Sequence, residues 1–135
     1  MPNKQKDSIP NETRWAIAPD WFPVNHRSME FLLKDYLCAK CAGKLSEKKE
    51  PASKALLATI QNCCSKSPDF IHEKLPILES AFRLFLTNGN TPMTLKEIST
   101  ELAKVRYGDV YRTSPETLLR ILKSDCYYGL QENNG

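Results

Sequence analysis

The chain is short of histidine, glycine and long apolar runs, and each shortage closes off a class of function. Only two histidines, His26 and His72, occur among 135 residues. They stand far apart, and no H-x-E or H-E-x-x-H pattern surrounds either, so a hydrolytic zinc enzyme lacks its ligands and its base. The five glycines are nowhere spaced as G-x-G-x-x-G or G-x-x-x-x-G-K-[ST], the loops whose backbone N–H groups cradle phosphates. No apolar stretch approaches the ~18–20 residues that span a bilayer. Residues 1–14 carry no apolar segment of a secretory signal. The expectations are a cytoplasmic protein, no membrane partner, no small-molecule substrate and no enzyme.

A strong surplus of one charge is missing too. Nineteen Lys and Arg face sixteen Asp and Glu, a net +3, whereas nucleic-acid binders often carry a much larger basic excess. The surplus lies entirely in the N-terminal part: ten basic against seven acidic residues in 1–54, three against three in 55–90, six against six in 91–135. It centres on Lys40, Lys44, Lys48, Lys49 and Lys54, and such a run most often marks a solvated loop.

What is present is the composition of a folded protein, 41% hydrophobic and 26% charged, enough for one ordinary domain. Residues 1–13 read as a disordered lead, polar and broken by Pro2 and Pro10. Residues 14–75 read as an N-terminal helical segment. It opens with a short strand, Trp15–Ala18, and a turn holding Trp21 and Phe22 between Pro19 and Pro23. Ser28 caps a helix from about Met29 to Leu37, which ends at the first cysteine pair. A polar loop, 45–51, leads to a helix over about Ala52–Cys64 with Ala55, Leu56, Ile60 and Cys63 on one face.

The cysteines carry the sharpest signal. An odd number, five, in a reducing compartment argues against a disulfide framework and leaves metal ligation or core packing. Cys38 and Cys41 form C-x-x-C, with Gly43 beyond them to let backbone N–H groups turn toward the sulfurs. Cys63 and Cys64 follow as an adjacent pair. Four thiolates in two clusters suit one structural, tetrahedral zinc ion. Adjacent residues on a helix point ~100° apart, so both can serve only where the helix has ended. His72 is the alternative fourth ligand and His26 a more distant one. Buried or ordinary reduced thiols are the bland alternative, and a redox C-x-x-C lacks its βαβ setting. Cys126 stands alone and is expected to be a small core residue.

From residue 76 the pattern is helical. Pro76 is expected at the first position of a helix to Thr87, apolar nearly all round and therefore central. Asn88-Gly89-Asn90 stops it. Thr94 and Glu97 form a capping box for a helix to about Val105. After a loop, 106–113, Ser114 and Pro115 open a helix to Lys123, and Tyr127–Leu130 reads as a strand. This order, helix 76–87, helix 95–105, turn, helix 115–123 and strand, resembles a winged-helix (helix-turn-helix) fold over residues 76–131, with 132–135 as a tail. The resemblance rests on element order and the caps at Thr94 and Ser114, and identifies no specific family. It implies that helix 115–123 takes the place of a recognition helix. Too few residues follow Leu130 for a second wing strand, so Trp15–Ala18 is the expected partner of Tyr127–Leu130 in one short two-stranded sheet.

The fold class expected is thus mainly α, a helical domain with a zinc-knuckle-like insertion and a winged-helix-like C-terminal half. The function expected is a small zinc-binding module for a protein partner. The alternative is weak, sequence-tolerant binding to DNA or RNA, a transcription-associated role, through phosphate contacts from Lys40, Lys44, Arg106, Arg112 and Arg120.

Overall fold

Three consecutive apolar residues, Trp15, Ala16 and Ile17, are all buried in strand β1 (Arg14–Ile17), which a strand permits only when both of its faces are covered. In the computed structural model, which describes residues 13–45, 52–106 and 112–133, β1 is the middle of an antiparallel three-stranded sheet, β2-β1-β3. On one side lies β2 (Met93–Thr94), with Trp15 opposite Met93. On the other lies β3 (Leu130–Glu132), with Ile17 opposite Leu130 and Trp15 opposite Glu132. The pairing of the N-terminal strand with the end of the chain is therefore made, but the expected two-stranded sheet has a third strand. β3 also sits later than Tyr127–Leu130 and runs into the segment expected to be a tail.

The shift has a local cause. The Asp125 carboxylate accepts the backbone N–H groups of Tyr127, Tyr128 and Leu130 at 2.8–2.9 Å. This turns residues 127–129 instead of extending them. Gly129 has φ +71° and lies so close beneath Phe22 that an added Cβ would stand 2.7 Å from the ring. Its carbonyl accepts the Ala18 N–H at 2.8 Å.

Seven α-helices accompany the sheet among the described residues. α1 (Trp21–Val24) is a single turn where the prolines predict a turn. α2 (Met29–Lys34) is capped by Ser28, whose hydroxyl accepts the Phe31 N–H at 3.0 Å. It stops three residues short of the expected Leu37. α3 (Ala39–Leu45) starts immediately after Cys38, so the C-x-x-C pair begins a helix and does not end one. α4 (Ser53–Asn62) buries Leu56 and Ile60, while Ala55, expected beside them, is exposed. A 3-10 turn, Cys64–Lys66, follows.

α5 (Ile77–Thr87) is the centre of the molecule. Ala81, Phe82, Phe85 and Leu86 are fully buried, and Pro76 stands just before the helix as its N-cap, one place earlier than expected. The Phe82 ring packs against Tyr36 at 5.3 Å and Tyr128 at 4.7 Å, drawing the segments after α2 and after α7 onto one helix. α6 (Leu95–Val105) begins with the complete Thr94–Glu97 capping box. α7 (Pro115–Lys123) begins with Ser114 as cap and Pro115 in the first turn. After α5, Asn90 at φ 62° reaches back to β1. Its Oδ1 accepts the Ile17 N–H at 2.8 Å and its Nδ2 donates to the Ile17 carbonyl at 2.9 Å. One apolar core runs from Trp15 to Leu130 through the sheet and every one of these helices except α3, from which it takes no buried residue. The lead 1–12, most of the 45–51 and 106–113 loops, and with them Lys48 and Lys49, lie outside the described residues.

Candidate metal centre

Cys38 precedes α3 and Cys41 falls in its first turn; Cys63 and Cys64 stand at the end of α4. The geometric obstacle to an adjacent pair is removed by the backbone. α4 ends at Asn62, and Cys63 leaves helical geometry with φ −132° and ψ −64° before the 3-10 turn begins at Cys64. The two side chains can therefore face the same point despite being neighbours. All four Sγ atoms lie within 4.8 Å of one another. Cys38 Sγ is 3.4 Å from Cys64 Sγ and 4.0 Å from Cys63 Sγ. These distances exceed a disulfide bond, and none of the five cysteines is in a disulfide.

Four sulfurs each ~2.3 Å from one tetrahedral ion stand ~3.8 Å apart. The separations in the cluster, from 3.4 Å to no more than 4.8 Å, bracket that spacing. Two further features fit a cation. The Cys38 N–H donates to Cys64 Sγ at 3.1 Å, the outer support that metal thiolates usually receive. The charge balance is also strained. The Cys41 N–H, then the Cys64 thiol, lower the Cys38 thiol to about 6. The Cys63 sulfur and burial push Cys41 up to about 12, and burial raises Cys64. The Cys38 thiolate is thus favoured by surrounding donors, while Cys41 and Cys64 are pushed toward keeping their protons. A divalent ion would allow the remaining thiolates to form beside it. The all-sulfur donor set suits zinc or another soft ion of tetrahedral preference.

Neither histidine joins the cluster. His72 Nδ1 accepts the Lys74 N–H at 3.2 Å in the turn before α5. His26 is exposed, at φ 59° after α1. Gly43 is inside α3 and not in a left-handed turn, and the N–H groups that meet the sulfurs include those of Cys38 and Cys41. Cys126 is exposed, contrary to the expected core position, because the Asp125 turn carries it outward.

The expected phosphate contacts divide. Lys40, Lys44, Arg112 and Arg120 are exposed. Arg106 is not: it is 3% exposed, and its guanidinium donates to the carbonyls of His72 and Leu75 and to Ser80 Oγ. It fastens the end of α6 to the turn before α5, and phosphate cannot reach it. Apolar side chains are exposed elsewhere: Val24 at 75%, Phe31 at 73%, and Tyr127 at 42% beneath the Arg27 guanidinium, 4.1 Å from its ring centre. Sequence reasoning did not single these out, since an exposed Val or Phe is invisible until helix faces are assigned. No helix of the described residues is long and apolar enough to cross a membrane. No family model, no curated protein and no solved structure matches this chain.

Proposed function

We propose that this protein is a small interaction module stabilised by one structural zinc ion held by Cys38, Cys41, Cys63 and Cys64. The observation that carries the reading is the convergence of four sulfurs, from two separated segments, within 4.8 Å. Such an ion would supply cross-linking and no reaction. The chain's own part is to fix two sulfurs at the start of α3 and two at the end of α4 and to support Cys64 by the Cys38 N–H. The module binds a protein partner through its exposed apolar and aromatic side chains, Val24, Phe31 and Tyr127. The winged-helix likeness belongs to the same proposal, with α7 as the helix that faces a partner. Nucleic acid is the second reading, favoured by the exposure of Lys40, Lys44, Arg112 and Arg120 and weakened by the burial of Arg106.

Elemental analysis of protein purified without chelator is expected to find about one zinc per chain. Less than roughly a tenth of an equivalent removes the metal from the proposal. Titration with labelled duplex and single-stranded oligonucleotides at two salt concentrations separates the partner classes. The protein reading expects no retention at physiological salt, and the phosphate reading expects binding that falls steeply as salt rises.

A further inference from the structure

The elements around the four sulfurs are not equally anchored. α4 packs on α2 and α5 and leads directly into the 3-10 turn that carries Cys64. Among the described residues α3 has no comparable packing against any helix or strand. Its composition explains why. Of residues 39–44, Ala39, Lys40, Ala42, Gly43 and Lys44 are exposed, and only Cys41 is partly covered. Over residues 39–44 the helix presents no apolar stripe to the core. At seven residues it is also far below the ~12–15 at which an isolated helix is even marginal in water. It contains a glycine, which costs ~1 kcal/mol relative to alanine inside a helix. Over residues 39–44, intrinsic propensity and hydrophobic burial, the two usual sources of helix stability, are both weak. Among the described contacts, α3 meets the molecule at its N-terminal end, through Cys38 and Cys41 against Cys63 and Cys64.

From this we infer that α3 is a metal-gated element: occupation of the four-cysteine site orders it, and loss of the ion releases it while the rest of the fold stays intact. The inference rests on the metal reading above and goes beyond it in saying which part of the molecule answers to the ion. The core does not depend on the site in the same way. Of the four cysteines only Cys64 belongs to it, whereas Trp15, Phe82, Phe85, Ile98 and Leu118 lie in a continuous apolar cluster. A zinc finger that unfolds without metal has no such core. What the ion orders is a short cationic helix. Lys40 and Lys44 are exposed and spaced four apart, so they share one flank. Zinc availability then decides whether that pair is presented at a fixed separation or on a loose strand.

The test is amide hydrogen exchange of the full chain under reducing conditions, with one equivalent of zinc and again with excess chelator, alongside a cobalt titration read by thiolate-to-metal charge transfer. With zinc, the amides of residues 42–45 are expected to be protected. With chelator they should lose protection by at least about tenfold, while those of Phe82–Leu86 change by less than about twofold. Cys41→Ser should reproduce the chelated pattern in the presence of zinc. No cobalt charge transfer would defeat the metal reading and the inference together. Charge transfer with unchanged protection at 42–45 would leave the metal reading standing and overturn the gate. Equal loss of protection in α5 would overturn it as well, since the ion would then hold the whole fold.

Discussion

Tyr36 stands half-buried against Phe82, with its hydroxyl donating to Glu79 Oε2 at 3.4 Å. Burial is the main cause of a strongly raised phenol pKa, reinforced by the neighbouring Tyr128 and the Glu79 carboxylate, and burial raises Tyr128 in the same direction. The folded state therefore holds these protons more tightly than the unfolded chain. Their contribution is fully present below the unfolded phenol value, ~10, and is lost progressively as pH rises above it. Denaturant midpoints are expected to fall between pH 9 and 11, and to fall less in Tyr36→Phe, which has no proton to lose. A wild-type midpoint that did not change over that interval would contradict this account. Phe82, fully buried between the two tyrosines, should matter at every pH. Phe82→Ala removes a ring from the centre of the core and should cost ~3–5 kcal/mol, a large part of a small domain's stability. A melting temperature within a degree or two of wild type would mean that α5 is not the core.

At the scale of elements, stability rests on caps as well as packing. The Thr94 hydroxyl accepts the Glu97 N–H at 3.1 Å, and the Glu97 carboxylate accepts the Thr94 N–H at 2.9 Å. Thr94 also closes β2 against Arg14, so the cap fixes where the sheet ends and α6 begins. Thr94→Ala is expected to cost ~1 kcal/mol, read as a lower denaturant midpoint with unchanged slope. Glu97→Gln, which keeps an acceptor, should cost less. Caps of this kind were legible in the sequence because their signal is local: a hydroxyl, then a carboxamide or carboxylate three residues on, then an apolar period. β2 was not legible, because two residues cannot show an alternation. Arg106 was misplaced for a related reason. A cation after a helix looks solvated in sequence, and only the carbonyls of His72 and Leu75 and the hydroxyl of Ser80 converging on it reveal a buried anchor. The cysteine site was half legible. C-x-x-C announced itself, but the fitness of an adjacent pair turned on whether α4 stopped at Asn62, a boundary of the kind sequence reads least well.

At the scale of the molecule, the succession of α5, α6, α7 and β3 in sequence suggests a unit that folds by itself, and the sheet topology says otherwise. β2 and β3 do not pair with each other; β1 lies between them and bonds to both. The Asn133 N–H continues the connection, donating to the Arg14 carbonyl at 2.6 Å, and Asn90 holds Ile17 from the end of α5. Removing β1 would leave two very short strands with no partner and uncover Leu130 and Met93, which are buried in the whole chain. Unpaired strands of two or three residues have no independent stability, and their freed backbone groups would have to be solvated. A fragment of residues 76–135 is therefore expected to be largely unfolded or molten, with poorly dispersed amide resonances. A synthetic peptide covering residues 13–18, added in excess, is expected to bind it and restore dispersion at Met93, Leu130 and Gln131. A fragment that gave sharp, dispersed spectra without the peptide would show that the C-terminal half is autonomous and that β1 is an accessory to it. If the fragment is unfolded, the C-terminal half takes this fold only in the company of β1, because β1 supplies the shared edge that β2 and β3 both need.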